Sequence, residues 1–582
     1  MQVEETRLTE QDAYVHGLLF AGKVCAFAAS TPDEVLPVLR MVEQRVAQGL
    51  FAAGFVCYEA AGALNEDLAC AACDAKEEVA GGLPLLSFSL YASCTPAPVP
   101  PCPDAFQISG WESSLDQEGF SAAVGAVRDF IKAGDCYQVN LTFRQTFDFS
   151  GSPRAFFRDL CLGQPTPYSS YLECANHRIV SASPELFFSL GKGGLLTTRP
   201  MKGTARRGRW SEEDATLKEA LRESAKDRAE NLMIVDLLRN DMGIVSEVGS
   251  VRVTSLFDVE SHPTVHQMTS TIESQVREGV GFTGILAALF PCGSVTGAPK
   301  RRSMEIIAGL EGRPRGVYTG CIGYLLPGGE AKFSVAIRTA VLDLASGRGE
   351  IGVGSGITFD SGPRSEYAES LSKGRFARER RPDFHLIESL LHDGSFFLLE
   401  SHLERLADSA GYFSFPFEAD RVRQALLHLG QGLVGAHKVR VVLFRDGKFA
   451  CEAAPIVPLP EAKVTLSDAA VGSSDPFLYH KTSRRDLYAK EMAAHPEVDE
   501  VIFVNERGEV TEGTTSNVVA VIGGSYLTPP LASGLLPGVF RRALLEEGTI
   551  AEALLTPRDL EEAERLYLIN SVRKWRPARL LR

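Results

Sequence analysis

The sequence predicts a multidomain protein of mixed α+β and α/β type. A chain of 582 residues is too long for a single hydrophobic core. Hydrophobic residues make up 45% of it and charged residues 23%, which is the balance of an ordinary globular protein. Stretches with helical and with strand periodicity follow one another along the chain. These observations predict several domains in which helices pack on sheets.

The composition argues against two classes of partner. The formal net charge is −14, which disfavours a nucleic-acid-binding surface and a polybasic membrane anchor. No apolar run approaches the roughly 20 residues that span a bilayer, and the acidic N-terminus does not resemble a secretory signal. Twelve scattered cysteines, with Cys70 and Cys73 as the only CxxC pair, are interpreted as reduced thiols. We therefore expect a cytoplasmic protein without nucleic acid or membrane as a partner.

The first part of the chain is predicted to be an accessory region, residues 1–110, ahead of a catalytic domain at 111–376. Thr31 and Pro32, followed by two acids, predict the start of a helix. Residues 51–58 indicate a buried strand. The prolines of residues 95–103 prevent a regular element and mark a connection.

One lysine stands in an unusual setting in the string RPMKGTARRG, residues 199–208. Lys202 lies between Pro200, which fixes the backbone, and Gly203, which permits a tight turn or close approach to a ligand. Among neighbouring arginines such a lysine can lose its proton near neutral pH and act as a nucleophile. A surface turn with a solvated lysine is the alternative.

Two further polar features occur at strands. In residues 136–142, alternation places Gln138, Asn140 and Thr142 on one face, which is either solvent-exposed or part of a ligand site. Glu185 comes just before an apolar strand, where partial burial would raise its pKa and suit it to general acid catalysis. A glutamate in an ordinary turn remains the alternative.

Three acids are candidates for a cation site. Residues 211–241 predict one long helical stretch whose second half buries Leu232, Val235 and Leu238. Glu230 stands at the head of that apolar run and must be solvated, paired or metal-bound. Glu366 and Glu369 lie one helical turn apart on one face. A solvated surface is the alternative for this pair.

Residues 293–300 form a small-residue loop that leads into a predicted helix at 301–310. The loop lacks the order of a phosphate-binding P-loop, but amides at a helix start attract carboxylates as readily as phosphates.

The motif PMKGTARRG resembles the signature of the chorismate-utilising enzymes, in the form typical of the aminodeoxychorismate synthase component I family. Anthranilate and isochorismate relatives carry alanine in place of Lys202. The resemblance runs from about residue 119 to residue 373 and implies an anthranilate-synthase-component-I-like antiparallel β-sandwich with helices. It implies that Lys202 is the nucleophile, that Glu185 is the general acid, and that Glu230 and Glu369 bind magnesium with Glu366 as a close partner. It also implies substrate contacts for Gln138, Thr204, His266, Thr296, Tyr318, Arg338, Gly354, Gly356 and Lys373, and leaves His262 structural.

A second group of motifs follows a charged junction at residues 377–384. The strings SHLERL, YHKTSR, EGTTSN and LPGVF occur in that order within residues 385–582, and INS stands near the end. They resemble the class IV pyridoxal-phosphate-dependent enzymes, which implies a fold of two subdomains. The resemblance implies that Lys481 anchors pyridoxal 5'-phosphate and that Glu512 faces the pyridine nitrogen. It also implies cofactor contacts for Arg405, Val539, Phe540 and Ser571.

Together the two resemblances imply a fusion of an aminodeoxychorismate synthase component I with a 4-amino-4-deoxychorismate lyase, which would convert chorismate to p-aminobenzoate for folate synthesis. Ammonia would come from a separate glutamine amidotransferase subunit, because the chain shows no obvious glutaminase nucleophile motif. An anthranilate or isochorismate synthase fused to an amino-acid transaminase is the alternative, and a catalytically dead scaffold that recruits a glutaminase is a third. A homodimer through the second domain is left open.

Overall fold

The computed structural model describes residues 12–68, 82–263, 265–379 and 383–581. Cys70 and Cys73 lie outside these ranges, as do residues 380–382 of the predicted junction. The chain divides into two compact units. The first unit contains Met1–Arg206 and Lys218–Arg381, and the second contains Arg207–Leu217 and Pro382–Arg582. An eleven-residue segment from the middle of the chorismate-enzyme-like sequence therefore belongs to the second unit.

The strands of the first unit form one 18-stranded sheet. They are β1 (Ala13–Val15), β2 (Leu18–Ala29), β3 (Phe51–Val56), β4 (Leu86–Pro96), β5 (Phe106–Ser113), β6 (Gln138–Gly151), β7 (Tyr168–Cys174), β8 (His177–Ser183), β9 (Leu186–Leu190), β10 (Leu195–Arg199), β11 (Met201–Arg206), β12 (Arg252–Ser261), β13 (Val265–Gln275), β14 (Gly297–Ala298), β15 (Cys321–Leu325), β16 (Ala331–Val335), β17 (Thr339–Asp343) and β18 (Arg348–Ile357). The strand pairs are antiparallel, which confirms that part of the predicted fold class.

The helices of this unit cover the sheet and enclose two hydrophobic cores. They are α1 (Pro32–Ala47), α2 (Ala61–Leu64), α3 (Gln117–Lys132), α4 (Pro153–Gly163), α5 (Ser211–Glu223), which begins in the second unit's segment, α6 (Ala225–Gly243), α7 (Phe282–Leu289), α8 (Lys300–Glu311) and α9 (Pro363–Arg378). One core packs α1, α6 and α7 against β3, β4 and β15, and the other packs α3 and α4 against β6 and β18. The predicted start of α1 is confirmed, because Thr31 and Glu34 form a capping box.

The long helical stretch predicted at residues 211–241 is two helices, so that prediction is wrong in detail. The chain breaks at Ser224, whose hydroxyl accepts the amide N–H of Asp227 and caps α6. The expected buried face is also shifted by one position. Leu232 is 50% exposed, whereas Asn231, Val235 and Leu238 are buried. The polar residue Asn231 lies on the buried face of α6 because it forms hydrogen bonds with the Lys202 carbonyl and with Ser270.

The second unit contains two sheets. The strands are β19 (Leu386–Asp393), β20 (Ser395–Phe396), β21 (His437–Leu443), β22 (Phe449–Pro455), β23 (Ala462–Leu466), β24 (Glu500–Val504), β25 (Val510–Gly513), β26 (Asn517–Ile522), β27 (Ser525–Thr528), β28 (Ala551–Glu552), β29 (Arg565–Asn570) and β30 (Lys574–Leu580). The helices are α10 (Leu399–Phe413), α11 (Ala419–Gly430), α12 (Asp486–Ala494), α13 (Val539–Glu546) and α14 (Pro557–Glu562).

These two sheets correspond to the two predicted subdomains. Strands β19 to β22 form a four-stranded sheet that packs against α10 and α11. In the larger sheet, β24, β23, β30, β29, β26 and β25 pair in that order, and β25 also pairs with β24. Six strands therefore close into a barrel. Within the described ranges, none of the helices combines the length and the apolar character that crossing a bilayer requires.

Candidate active sites

Lys202 lies in the strand β11 and not in a turn. Gly203 after it has φ +91°, and a Cβ there would lie 2.9 Å from the Cβ of Asp227. Glycine is therefore required both for the backbone angle and for the approach of α6. The Lys202 carbonyl accepts a 3.5 Å hydrogen bond from Asn231, whose own side-chain oxygen accepts from Ser270 at 2.6 Å. The buried Asn231 thus ties the lysine's backbone to α6 and to β13.

Lys202, Gln138 and Gly356 converge at one point of the sheet. A Cβ built on Gly356 would lie 2.0 Å from Gln138 Nε2 and 3.0 Å from Lys202 Nζ. Gln138 is 1% exposed, and its Oε1 has no hydrogen-bond partner among the described residues. An unpaired buried amide oxygen beside an amine is a position for a polar ligand.

The surroundings of Lys202 favour its neutral form. Burial lowers the pKa of Lys202, and the charge of Lys373 lowers it further. Glu230 and Glu185 act in the opposite direction, but burial is the largest cause and the pKa remains below its ordinary value. A lowered pKa increases the fraction of the amine that carries a free electron pair, and that form can act as a nucleophile.

Glu185 is a buried carboxyl group of the same unit. It is 3% exposed and directly precedes β9, as predicted, and its Oε1 has no hydrogen-bond partner among the described residues. Burial raises the pKa of Glu185 to about 7, although a hydrogen bond from Ser294 and the charge of Lys202 oppose this shift. A carboxyl group that keeps its proton near pH 7 can protonate a leaving group.

The three acids proposed for magnesium come from α6 and α9. Burial raises the pKa of Glu230, and the charge of Glu366 contributes in the same direction. Glu366 accepts a 2.8 Å hydrogen bond from Ser361, and Glu369 forms a 2.9 Å ion pair with Lys373. These donors fit a magnesium ion, since that ion binds one or two carboxylates and completes its shell with water and substrate oxygens.

A tighter group of three metal-type ligands occurs elsewhere. Of the described residues, only Asp468, Glu491 and His495 bring three ligand atoms within 4.8 Å of one another. The three acids near Lys202 do not meet that spacing, so a cation there would need ligands from outside the protein.

The other residues that the sequence assigned to substrate are spread over the first unit. Lys373 Nζ donates to the Gly354 carbonyl at 3.0 Å, which connects Lys373 to the strand that carries Gly356. The remaining residues have other neighbours. The Thr296 carbonyl accepts from Asn140, Thr204 is exposed and bonds Gln267, the buried His266 bonds Ser261, Tyr318 lies under Arg144, and Arg338 bonds Gln164.

In the second unit, Lys481 follows a buried pair, Tyr479 and His480. The Lys481 carbonyl accepts a 2.8 Å hydrogen bond from Ile387. Burial lowers the pKa of Lys481 to about 8, and the charge of Arg405 adds to the effect. An amine with this pKa can form an imine with an aldehyde cofactor near neutral pH.

Glu512, whose charge acts on Lys481, is 8% exposed. It accepts hydrogen bonds from the Tyr488 hydroxyl at 2.8 Å and from the Leu536 amide at 3.0 Å. Burial raises the pKa of Glu512, while the charges of Arg485 and Lys481 lower it. A buried carboxyl group near a reactive lysine fits the pyridine nitrogen of pyridoxal phosphate.

Arg405 belongs to α10, and its guanidinium reaches the loop just before α13. Its Nη1 donates to the Pro537 carbonyl at 3.1 Å, and its Nε and Nη2 hold Glu388 at 2.8 Å and 2.7 Å. A guanidinium beside the amides of a helix start is a suitable phosphate site. The other predicted cofactor contacts, Val539, Phe540 and Ser571, are buried.

Sequence reasoning missed Glu388, Tyr488 and Arg485. Arg405 and His402 hold the pKa of the Glu388 carboxyl well below its usual range, so this buried acid fixes the arginine. A glutamate in the apolar strand LIESLL was the available signal for it. Tyr488 and Arg485 stand in ordinary helical sequence, and no pattern pointed to them.

Two protein families match the chain, one in each of its two parts. Residues 22–379 match the chorismate binding enzyme family, and residues 386–581 match the class IV amino-transferase family. The first match covers more than half of the chain, and the chain belongs to the chorismate-binding enzymes. The second match shows a class IV aminotransferase-like domain, a type that implies pyridoxal phosphate. Both predicted resemblances are confirmed.

The similar proteins include both aminodeoxychorismate synthases and anthranilate synthases, so sequence identity alone does not distinguish between these two activities. The chain is 42% identical over 264 residues to aminodeoxychorismate synthase component 1 of Bacillus subtilis, covering 45% of this chain and 55% of that protein. It is 40% identical over 265 residues to anthranilate synthase component 1 of Pseudomonas aeruginosa, covering 46% of this chain and 53% of that protein. The chain therefore spans about half the length of these relatives.

A solved structure confirms the first part of the predicted fold class. Anthranilate synthase component I of Streptococcus pneumoniae matches with a TM-score of 0.54 and 26% identity. The match covers 65% of this chain and 95% of that structure.

Proposed function

We propose that the chain makes p-aminobenzoate from chorismate in two steps. In the first unit, chorismate and ammonia give 4-amino-4-deoxychorismate. In the second unit, that product loses pyruvate to give p-aminobenzoate. The observation that supports this most is the pair of Lys202, an amine with a lowered pKa, and Glu185, an acid with a raised pKa, in a chorismate-binding chain.

The chemistry of the first step follows from this pair. The Lys202 amine forms a bond to C2 of chorismate, the ring electrons shift, and the C4–oxygen bond breaks. Glu185 donates its proton to the departing oxygen, which leaves as water. Ammonia then forms a bond to C4, and the C2–nitrogen bond to Lys202 breaks. Gln138 suits this course because it is no base, and ammonia needs none to be nucleophilic.

A magnesium ion would be held by Glu230 and Glu369, with Glu366 close by. Bound there, it would neutralise a carboxylate of the substrate. The raised pKa of Glu230 supports this assignment, because a cation would offset the cost of a half-buried negative charge near Glu366.

The second step would use residues that hold and orient pyridoxal phosphate. Arg405 and the start of α13 would bind its phosphate, and Glu512 would keep its pyridine nitrogen protonated. The bound cofactor would supply an electron sink. Lys481, with a pKa of about 8, would accept a proton from C4 of the substrate as pyruvate departs.

Ammonia would come from a glutamine amidotransferase subunit. The matching relative from Bacillus subtilis is called component 1, a name that supports a second component for that protein. Without such a subunit, an ammonium salt should serve in its place.

The test is to incubate the purified chain with chorismate, an ammonium salt, magnesium and pyridoxal phosphate, and to identify the products. p-Aminobenzoate and pyruvate without an added keto acid are expected. Anthranilate or isochorismate would contradict the first step. A requirement for a keto acid, with an amino acid as product, would show that the second unit is a transaminase.

A further inference from the structure

The segment Arg207–Leu217 comes from the chorismate-binding sequence but belongs to the second unit. It begins directly after β11, the strand that carries Lys202. Its local structure is tightly fixed. Arg207 forms two 2.8 Å hydrogen bonds with Asp214, and Asp214 also accepts the Gly208 amide at 2.7 Å. Arg209 is held in the same way by Glu213.

Glycine is required in this turn. A Cβ on Gly208 would lie 2.1 Å from the Asp214 nitrogen, which belongs to the first turn of α5. The turn therefore presents Arg207, Arg209 and Trp210 as a preorganised group. We call these three residues and Gly208 the bracket.

One side of the bracket contacts Tyr412 at the end of α10. The Arg207 guanidinium lies 4.2 Å from the centroid of the Tyr412 ring, and the Tyr412 hydroxyl donates to the Gly208 carbonyl at 2.8 Å. The Tyr412 ring in turn lies 4.4 Å from the ring of His480. His480 is also fixed by a 3.0 Å hydrogen bond between its Nδ1 and Ser409.

The other side of the bracket contacts Tyr479. The Trp210 ring lies 5.1 Å from the Tyr479 ring and packs on the buried cluster around it. Arg209 donates to the Tyr479 hydroxyl at 3.4 Å and to the Ser473 carbonyl at 3.3 Å. The Tyr479 hydroxyl itself donates to the Ser473 carbonyl at 2.8 Å.

Tyr479 and His480 are the two residues directly before Lys481. We propose that the bracket is a positioning element of the second active site and that it fixes the backbone from which Lys481 extends. The second unit therefore needs four residues that the sequence assigns to the chorismate-binding part. A test of this role by the rate of p-aminobenzoate formation rests on the proposed lyase function. A test by attachment of the cofactor to Lys481 does not.

The test uses the full chain with the substitutions Arg209→Gln and Trp210→Ala. Arg222→Gln is the matched control, because Arg222 is a half-exposed arginine of α5 paired only with the exposed Glu219 among the ion pairs described. Two experiments are made at saturating pyridoxal phosphate. The first measures the rate at which borohydride fixes the cofactor to Lys481, and the second measures kcat and KM with supplied aminodeoxychorismate.

We expect a roughly ten- to hundredfold loss of kcat in both variants, because misplacing a reacting group by about 1 Å costs up to a hundredfold. KM should change little, and fixation of the cofactor should slow in parallel. Trp210→Phe should restore most of both, since it keeps a ring against Tyr479. A role limited to stability would lower the melting temperature and leave both rates unchanged below it.

The proposal is overturned if the two variants match Arg222→Gln in fixation and in kcat. If Arg209→Gln and Trp210→Ala fail to fold, the substitution Tyr412→Phe tests the proposal instead. It removes one hydrogen bond to Gly208 and keeps the ring, so about a fivefold loss of both rates supports the proposal, and wild-type rates overturn it. If cofactor fixation falls but no variant or wild type forms p-aminobenzoate, the positioning role stands and the proposed lyase function fails.

Discussion

Replacing Gly356 by alanine should damage the first reaction by moving two side chains. The added methyl carbon would lie 2.0 Å from Gln138 Nε2 and 3.0 Å from Lys202 Nζ, whereas ordinary contacts begin at 3.4 Å. The Gln138 amide must therefore retreat by about 1.4 Å and the lysine amine by a few tenths of an ångström. Misplacement on this scale costs up to about a hundredfold in rate, or roughly 2.7 kcal/mol of activation free energy.

The assay is chorismate consumption with an ammonium salt and magnesium, measured on folded protein. Overpacking should lower the free energy of unfolding by about 1 to 3 kcal/mol, so unfolding is measured beside activity. Gly125→Ala is the control, because Gly125 lies within α3 and its added Cβ would meet nothing within 4 Å. Wild-type kcat and KM in Gly356→Ala would refute the convergence of Lys202 and Gln138 on Gly356 as the reacting geometry.

Four further outcomes are expected. Lys202→Ala should abolish chorismate conversion while supplied aminodeoxychorismate is still processed; product from chorismate at the wild-type rate would exclude the covalent role. The wild-type rate of the first reaction should fall as pH rises past about 7, because Glu185 loses its proton there. Glu185→Gln should lower that rate by a factor of about 10² to 10⁴ and should remove its dependence on pH in this range. Glu369→Gln should raise the magnesium concentration needed for half-maximal rate in the first reaction only; superimposable titrations would remove Glu369 from the site. Lys481→Ala should prevent borohydride fixation of the cofactor and let aminodeoxychorismate accumulate. Adding an independent lyase should convert the accumulated aminodeoxychorismate to p-aminobenzoate.

Local signals predicted the elements well, because caps and periodicity act over a few residues. The helix start at Thr31, the buried strand β3 and the acid before β9 are examples. The one-residue error at Leu232 has a longer-range cause. Asn231 faces inward because it bonds Ser270, which lies 39 residues further along the chain. No pattern within one helix contains that partner.

The site was predicted as a set of residues but not as a geometry. The resemblance named Lys202, Gln138 and Gly356, yet only the pairing of β6 with β18 brings Gln138 and Gly356 together. Glu388 left a local signal as an acid in an apolar strand, but its partners Arg405 and His402 come from a different element, so its role could not be read from that strand alone. The assignment of residues 207–217 to the second unit depends on contacts with residues roughly 200 or more positions later.

The bracket also sets an order of events during synthesis on the ribosome. Arg207 leaves the ribosome roughly 270 residues before Tyr479, which at about 5 to 20 residues per second is a wait of roughly 14 to 54 s. Throughout that time Trp210 lacks the aromatic surface that covers it in the finished protein. The tryptophan therefore stays without its partner ring until Tyr479 has been made.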